Sequence, residues 1–185
     1  MMVLRDIPPN PRPPTRPVAA DIERVPHYRM SNVLSLDHKV PPPVVGALVA
    51  AAMWGVSAQG PQFPLGLAPK LTAVVILVLA GVAFDVLALL GFRRSRTTVN
   101  PFKPERASSL VVDGVYRITR NPMYLGIALL LLAWAVYLSA LLPFAGIVVF
   151  VLYITRFQIQ PEELALEAIF GEVYSTYAGR VRRWL

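Results

Sequence analysis

LTAVVILVLAGVAFDVLALLGF, the stretch at residues 71–92, carries a single charged side chain, Asp85. A helix of this length, rising about 1.5 Å per residue, crosses the roughly 30 Å hydrocarbon layer of a bilayer. The stretch therefore predicts a transmembrane helix. An ionisable residue inside a membrane is costly, so Asp85 is a candidate general base or ammonium partner. The alternative is that it faces interfacial water or pairs with an arginine such as Arg93.

Further apolar stretches lie on either side of this helix. Residues 44–58 predict a helix that is short for a full crossing, and residues 125–155 are too long for one perpendicular helix. Pro143 lies near the middle of the second stretch, where it removes an amide donor. We therefore expect two short helices, at about 124–140 and 143–157, that form a hairpin; one kinked helix is the alternative. The predicted architecture is an all-α integral membrane protein with about four short transmembrane helices.

The basic residues lie between the apolar stretches. The formal net charge is +7, and Lys70 is the one basic residue in the connections near 60–70 and 139–143. Four crossings place every other basic segment on one side of the membrane. The positive-inside rule makes that side cytoplasmic, together with both termini. The same charge suits contact with anionic lipid headgroups as well as it would suit nucleic acid. We expect membrane lipids and no nucleic acid as partners.

Composition excludes several kinds of site. The chain has no cysteine, so disulfides, thiolate metal sites, iron–sulfur clusters and a cysteine nucleophile are excluded. Its two histidines, His27 and His38, lie in a proline-rich segment at 1–43, and we expect no metal site. That segment predicts a cytoplasmic or interfacial arm without helix or strand, and it lacks the apolar core of a signal peptide. A membrane-embedded domain at 44–185 follows, and nothing in the sequence sets an oligomeric state.

One polar stretch at a membrane boundary has the composition of a binding site. Residues 114–126 read GVYRITRNPMYLG and combine cations, an amide, two phenols and two glycines. Arginine suits a carboxylate, and tyrosine rings suit an aromatic base or a sulfonium. Such a set fits a cationic cofactor with a carboxylate tail. The alternative is that these residues only anchor the chain at the interface.

A second polar set follows the predicted hairpin, on an amphipathic helix expected at 162–178. Glu162 and Glu163 come directly after Pro161. Helical spacing places one set of side chains on a single face, namely Glu163, Glu167, Phe170, Tyr174 and Tyr177. Carboxylates there can bind a ribose diol or an α-ammonium group, or orient a nucleophile. The alternative is that the glutamates complement the helix dipole and the aromatic rings pack.

The two sets together carry a resemblance. The chain has GxYxxxRNPxYxG at 114–126, followed by a hydrophobic hairpin and then by Glu-Glu, Phe-Gly and two spaced tyrosines before Arg182-Arg183-Trp184. This series of motifs resembles the isoprenylcysteine carboxyl methyltransferase family and its relatives, the phospholipid N-methyltransferases. Thr98-Val99-Asn100-Pro101 also resembles the lead-in of bacterial members. The resemblance covers about residues 70–185. It implies a methyltransferase in the inner or plasma membrane of a prokaryote, with S-adenosylmethionine bound from the cytosol by about residues 98–185.

The resemblance also assigns roles to individual residues. The expected cofactor-binding residues are Tyr116, Arg120, Asn121, Pro122, Tyr124, Gly126, Glu162 and Glu163, with Tyr174 and Tyr177 closing the pocket. The candidate catalytic residues are Asp85, Arg156 and Glu163. Isoprenylcysteine enzymes usually have His at the position of Asn121, and an Arg near Gln158, so these two positions depart from the pattern. The acceptor therefore stays open among lipophilic or small membrane-partitioned molecules.

Several functions remain open at this point. Methyl transfer to a membrane-partitioned acceptor is the main expectation, and a phospholipid amine N-methyltransferase is its variant. A membrane reductase of sterol-reductase type is a second possibility, because these enzymes have a similar C-terminal architecture and bind NADPH. A non-enzymatic membrane scaffold is the remaining alternative. No glycine cradle such as GxGxxG occurs, so a soluble Rossmann-type methyltransferase is not expected.

Overall fold

A computed structural model describes residues 40–95 and 110–185. The described residues contain six α-helices: α1 (Pro42–Val56), α2 (Leu67–Ser95), α3 (Pro122–Leu138), α4 (Pro143–Ile154), α5 (Gln160–Phe170) and α6 (Glu172–Ala178). The expected all-α fold is confirmed for these residues. The expectations for the arm up to residue 39, including His27 and His38, and for residues 98–101 lie outside the described residues.

The first helix begins earlier than its sequence predicts. Pro42 and Pro43 stand in the first turn of α1, so the proline-rich arm does not extend to residue 43. Proline is tolerated there because the first amides of a helix have no intrahelical acceptor. The helix ends at Val56, close to the expected residue 58.

Two helical segments are long and apolar enough to cross a membrane. They are Leu67–Arg94 and Pro143–Phe170, each of 28 residues, while α1 and α3 are shorter apolar helices. Much of the α2 surface is exposed and apolar; Ile76 and Leu79 are 60% and 64% exposed. Side chains of this kind, arranged around a long helix, suit contact with lipid tails.

α2 packs mainly against α3, and two glycines set the distance between them. A Cβ atom at Gly81 would lie 2.9 Å from the carbonyl oxygen of Gly126, and a Cβ at Gly126 would lie 2.9 Å from that of Gly81. Close approach of this kind is the usual role of small residues between membrane helices. Asp85 lies at the same crossing, because a Cβ at Gly126 would also lie 2.7 Å from its Cγ atom.

At one end of the bundle, the α1–α2 and α3–α4 connections are bonded to each other. The amide of Phe63 donates to the carbonyl oxygen of Ser139 (3.0 Å), and the amide of Leu141 donates to that of Pro61 (2.9 Å). Lys70 lies near this end, 5.6 Å from the ring centre of Tyr137. All other basic residues in the described part of the chain lie towards the opposite end: Arg93, Arg94, Arg117, Arg120, Arg156, Arg180, Arg182 and Arg183.

The hairpin region after α3 begins as predicted and then differs from its prediction. α3 and α4 are joined by residues 139–142 and contact each other, close to the predicted bounds. However, the helical chain does not stop at residue 157: α4 ends at Ile154, and the π-helical turn Thr155–Ile159 continues directly into α5.

The single helix predicted at 162–178 is wrong. Gly171, with φ +54°, ends α5 and begins α6, a backbone conformation that side-chain-bearing residues rarely adopt. Phe170, Tyr174 and Tyr177 are buried as expected, but Glu167 is exposed, so the predicted common face does not form.

We expect Gly81→Ala to lower the thermal unfolding midpoint of the purified protein. The added methyl group would push α2 and α3 apart, and overpacking of this kind costs about 1–3 kcal/mol. Gly55→Ala is the matched control, because nothing lies within 4 Å of a Cβ at this helical glycine. That variant should be neutral or slightly stabilising. Equal midpoints for the two variants would contradict the close α2–α3 contact.

Candidate active site

Three distant stretches of the chain meet at the basic end of the bundle. They are residues 115–126, the pair Glu162 and Glu163 on α5, and residues 174–184. The amide of Arg120 donates to the carbonyl oxygen of Arg182 (3.0 Å), which joins the first stretch to the last. The Arg-Asn-Pro motif and the glutamate pair are also brought together, through an ion pair between Arg120 and Glu163.

Two arginines from different stretches hold Glu163. Arg183 donates from Nε to Oε1 (3.0 Å) and from Nη2 to Oε2 (2.6 Å). Arg120 adds an ion pair from Nη2 to Oε1 (3.2 Å). Both carboxylate oxygens of Glu163 are therefore engaged. The hydrogen bond to Glu163 raises the pKa of Arg183 above its usual value, so this guanidinium stays charged.

Glu162 lies in a different environment, among phenols. The hydroxyl of Tyr124 donates to its Oε1 atom (2.5 Å). Tyr116 lies close to this carboxylate. Burial raises the pKa of Tyr116 above its ordinary value, and the acidic groups of Tyr177 and Glu162 nearby raise it further. Neighbouring residues on one helix thus present one carboxylate to cations and one to phenols.

Tyr174 and Tyr177 close the cluster from α6. The hydroxyl of Tyr177 donates to the carbonyl oxygen of Tyr116 (2.7 Å). Arg120 donates from Nη1 to the hydroxyl of Tyr174 (3.4 Å). Burial, followed by the charge of Glu163, raises the pKa of Tyr174 to about 12, with Arg120 acting in the opposite direction. Both rings therefore stay neutral hydrogen-bonding groups at physiological pH.

A hydrogen-bonded turn before α3 fixes the chain beside Arg120. Thr119 is fully buried, and its hydroxyl donates to the carbonyl oxygen of Arg183 (3.2 Å). The side-chain amide of Asn121 donates to the same oxygen (3.0 Å). The sequence motif contains Asn121 and Arg183, but it gave no signal for Thr119.

The remaining predicted residues lie around this cluster rather than in it. Pro122 is the buried first residue of α3, and Gly126 faces Asp85 on α2 instead of the glutamate pair. Arg156 is exposed, with its guanidinium 5.4 Å from the ring centre of Phe157. Gln158 is fully buried instead and donates from Nε2 to the carbonyl oxygen of Val40 (2.9 Å).

Among the described residues, Arg120 and Arg180 each have a buried nitrogen without a hydrogen-bond partner, and Arg120 is the one in the ion-pair cluster. Arg120 Nε is buried and has no hydrogen-bond partner among the described residues, although its other nitrogens bind Glu163 and Tyr174. A buried N–H without an acceptor is costly, so such a group marks a position where a ligand acceptor is favourable. In the described part of the chain, no group of three or more His, Asp or Glu side chains is placed to hold a metal.

We expect Tyr177→Phe to destabilise the protein by about 1–3 kcal/mol, because the change leaves a buried carbonyl oxygen without its donor. The thermal unfolding midpoint measures this loss. Tyr137→Phe is the matched control, since Tyr137 is 49% exposed. A Tyr177→Phe midpoint no lower than that of the control would show that the hydroxyl does not hold α6 against Tyr116.

Comparison with known proteins finds one family and several relatives. The profile of the phospholipid methyltransferase family matches residues 69–173. An uncharacterized protein of Haemophilus influenzae is 48% identical over 63 residues, which are 34% of this chain and 100% of that protein. No solved structure matches the chain.

Two rice proteins are also similar. A probable protein-S-isoprenylcysteine O-methyltransferase of Oryza sativa subsp. indica and one of subsp. japonica are each 34% identical over 116 residues, 60% of this chain. The chain spans 58% of the length of each rice protein.

The family profile covers more than half of the chain and includes both the Arg-Asn-Pro motif and the glutamate pair. Together with the two candidate membrane spans, this match indicates a membrane protein. The chain belongs to the isoprenylcysteine carboxyl methyltransferase and phospholipid methyltransferase family.

Proposed function

We propose that the chain transfers a methyl group from S-adenosylmethionine to an acceptor that partitions into the membrane. The observation that carries this proposal is the pair of adjacent glutamates held in unlike environments, one by Arg120 and Arg183 and one by Tyr124. A cofactor that is cationic at its sulfonium and ammonium groups and anionic at its carboxylate needs both kinds of surroundings.

The residues of the cluster fit the groups of this cofactor. Arg120, with its unused Nε, suits the carboxylate. Glu162 and the rings of Tyr116 and Tyr124 suit a sulfonium or ammonium group, since aromatic faces and carboxylates attract cations. When bound, the cofactor supplies an activated methyl group on a positively charged sulfur.

The proposed task of the protein in the transfer is alignment. Displacement at a methyl group requires the nucleophile and the leaving group in line, and holding them in place contributes a large part of the rate. The ion-paired Glu163 keeps α5, Arg120 and the 174–184 stretch in one arrangement. In this proposal Glu163 positions the site, while Glu162 contacts the cofactor.

Asp85 belongs to the acceptor side in this proposal. It lies against Gly126, whereas the cofactor-facing Tyr124 is two residues away on α3. Two residues turn a helix by about 200°, so Asp85 from α2 and Glu162 from α5 contact different faces of α3. An acceptor that reaches the half-buried Asp85 beside this helix contact meets a carboxylate that can accept a proton from an amine or pair with an ammonium group.

A lipid-like acceptor is favoured by the surroundings of the site. The rice relatives are named for a prenylated cysteine, and the family is named for phospholipids. Both names describe acceptors that carry hydrophobic chains. The exposed apolar surface of α2 gives such an anchor a place beside the site. Asn121 and Gln158 depart from the isoprenylcysteine pattern, so a carboxylate, a thiolate and a phospholipid amine are all retained as acceptor chemistries.

We also propose that the cluster faces the cytoplasm of a prokaryotic cell. Of the basic residues in the described ranges, all except Lys70 lie towards the end of the bundle that carries the cluster. Basic residues are retained on the cytoplasmic side during insertion, and S-adenosylmethionine is a cytosolic metabolite.

We expect the purified protein in nanodiscs to bind S-adenosylhomocysteine in a calorimetric titration. Glu162→Gln should weaken this binding by about tenfold, since the charge-assisted contact with the α-ammonium group, which S-adenosylhomocysteine keeps, is lost. Glu167→Gln is the matched control, because Glu167 is an exposed residue of the same helix. Binding of NADPH without S-adenosylhomocysteine would favour a reductase instead, and binding of neither would favour a scaffold.

Glu163→Gln should also weaken S-adenosylhomocysteine binding, by about 1–3 kcal/mol, because both guanidinium groups lose a charged partner. Glu172→Gln, an exposed carboxylate at the start of α6, serves as the control. A change below about 0.3 kcal/mol, which is within the range of neutral surface substitutions, would remove Glu163 from the site.

A further inference from the structure

Thr119 joins the two main-chain segments that carry the arginines of the site. Its hydroxyl donates to the carbonyl oxygen of Arg183 (3.2 Å) and accepts from the amide of Asn121 (3.2 Å). The side chain is fully buried. A buried hydroxyl is favourable only when it is hydrogen-bonded, and here both its donor and its acceptor functions are used.

The bonds of Thr119 reach residues on both sides of the ion-pair cluster. One is at Asn121, directly after Arg120, and the other is at the backbone of Arg183. Arg120 and Arg183 bind the same carboxylate, that of Glu163. The direction of a long arginine side chain depends on its own backbone, so holding the Arg183 carbonyl also aims its guanidinium.

We propose that Thr119 is a positioning residue, which acts through the backbone of Arg183 to set the guanidinium that holds Glu163. This inference rests on the proposed function, because the group being aligned is a proposed part of the cofactor site. Valine has nearly the shape of threonine without the hydroxyl. If Thr119 served only to fill space, valine would serve equally well.

The first test compares Thr119→Val with Thr119→Ser in the full-length protein. S-adenosylhomocysteine affinity should fall about tenfold for valine and stay within about twofold for serine, because two hydrogen bonds are lost in the first case and kept in the second. Hydrogen–deuterium exchange, read without any ligand, should be about three- to tenfold faster in residues 181–184 of the valine variant. Unchanged exchange together with unchanged affinity would overturn the proposal.

The second test asks whether Thr119 acts through Arg183. In a double-mutant cycle, Thr119→Val should weaken S-adenosylhomocysteine binding about tenfold in the wild-type background and less than about twofold when Arg183→Ala is already present. A loss of the same factor in both backgrounds would mean that Thr119 only stabilises the fold. That result would overturn the positioning role.

The outcomes separate this inference from the proposed function. If the wild-type protein does not bind S-adenosylhomocysteine, the proposed function fails, while faster exchange at 181–184 in the valine variant would still support the Thr119–Arg183 link. If the wild type binds and valine changes nothing, the inference alone fails. If Thr119→Val does not fold, the test is made on the wild-type protein. Adding S-adenosylhomocysteine should then slow hydrogen–deuterium exchange in residues 119–121 and 181–184 together. Slowing in neither segment would overturn the proposal.

Discussion

The ion pairs of Glu163 are the constraint on which the rest of the site depends. Arg120 precedes α3 and Arg183 follows α6, so one carboxylate on α5 ties together three elements that are far apart in sequence. The group is only partly exposed, with 18% of the Glu163 side chain accessible. Removing one member of such a partly buried set leaves uncompensated charge, which costs more than the pair itself contributes. The arrangement is thus held as a unit, and hydrogen bonds from Thr119, Asn121 and Arg120 keep the last residues of the chain in place around it.

The different contacts of the two glutamates follow in part from helix geometry. Adjacent residues on a helix point about 100° apart, so Glu162 and Glu163 face different neighbours although they share one turn. Glu162 meets Tyr124 on α3, whereas Glu163 meets the two guanidinium groups. The π-helical turn Thr155–Ile159 lies directly before them and changes the helical register between the apolar α4 and the polar α5. Turns of this kind are frequent at functional sites.

Much of this fold could be predicted from the sequence, because hydropathy and proline act locally. The apolar stretch around Asp85, together with Pro143, located the helices to within a few residues, and the spaced Arg-Asn-Pro and Glu-Glu motifs located the cluster. The break at Gly171 was missed because an amphipathic pattern continues through it, and only the backbone reveals its positive φ. Thr119 was missed for a different reason: its partners lie more than sixty residues away, and a buried threonine has no sequence signature. Helix geometry predicts that the two glutamates face different ways, but the partners that they meet come from tertiary contacts that the sequence does not show.

The bridge between the two connections at the far end constrains how the bundle responds to its bilayer. Gln62 forms a β-bridge with Ala140, and neighbouring amides donate hydrogen bonds across the same pair of connections. The α1–α2 connection is therefore hydrogen-bonded to the α3–α4 connection at the end remote from the cluster. Helices fixed at both ends cannot slide past one another along the membrane normal. In a thinner or thicker bilayer, the four helices are then expected to tilt together. The depth of Asp85 relative to the glutamate pair stays unchanged.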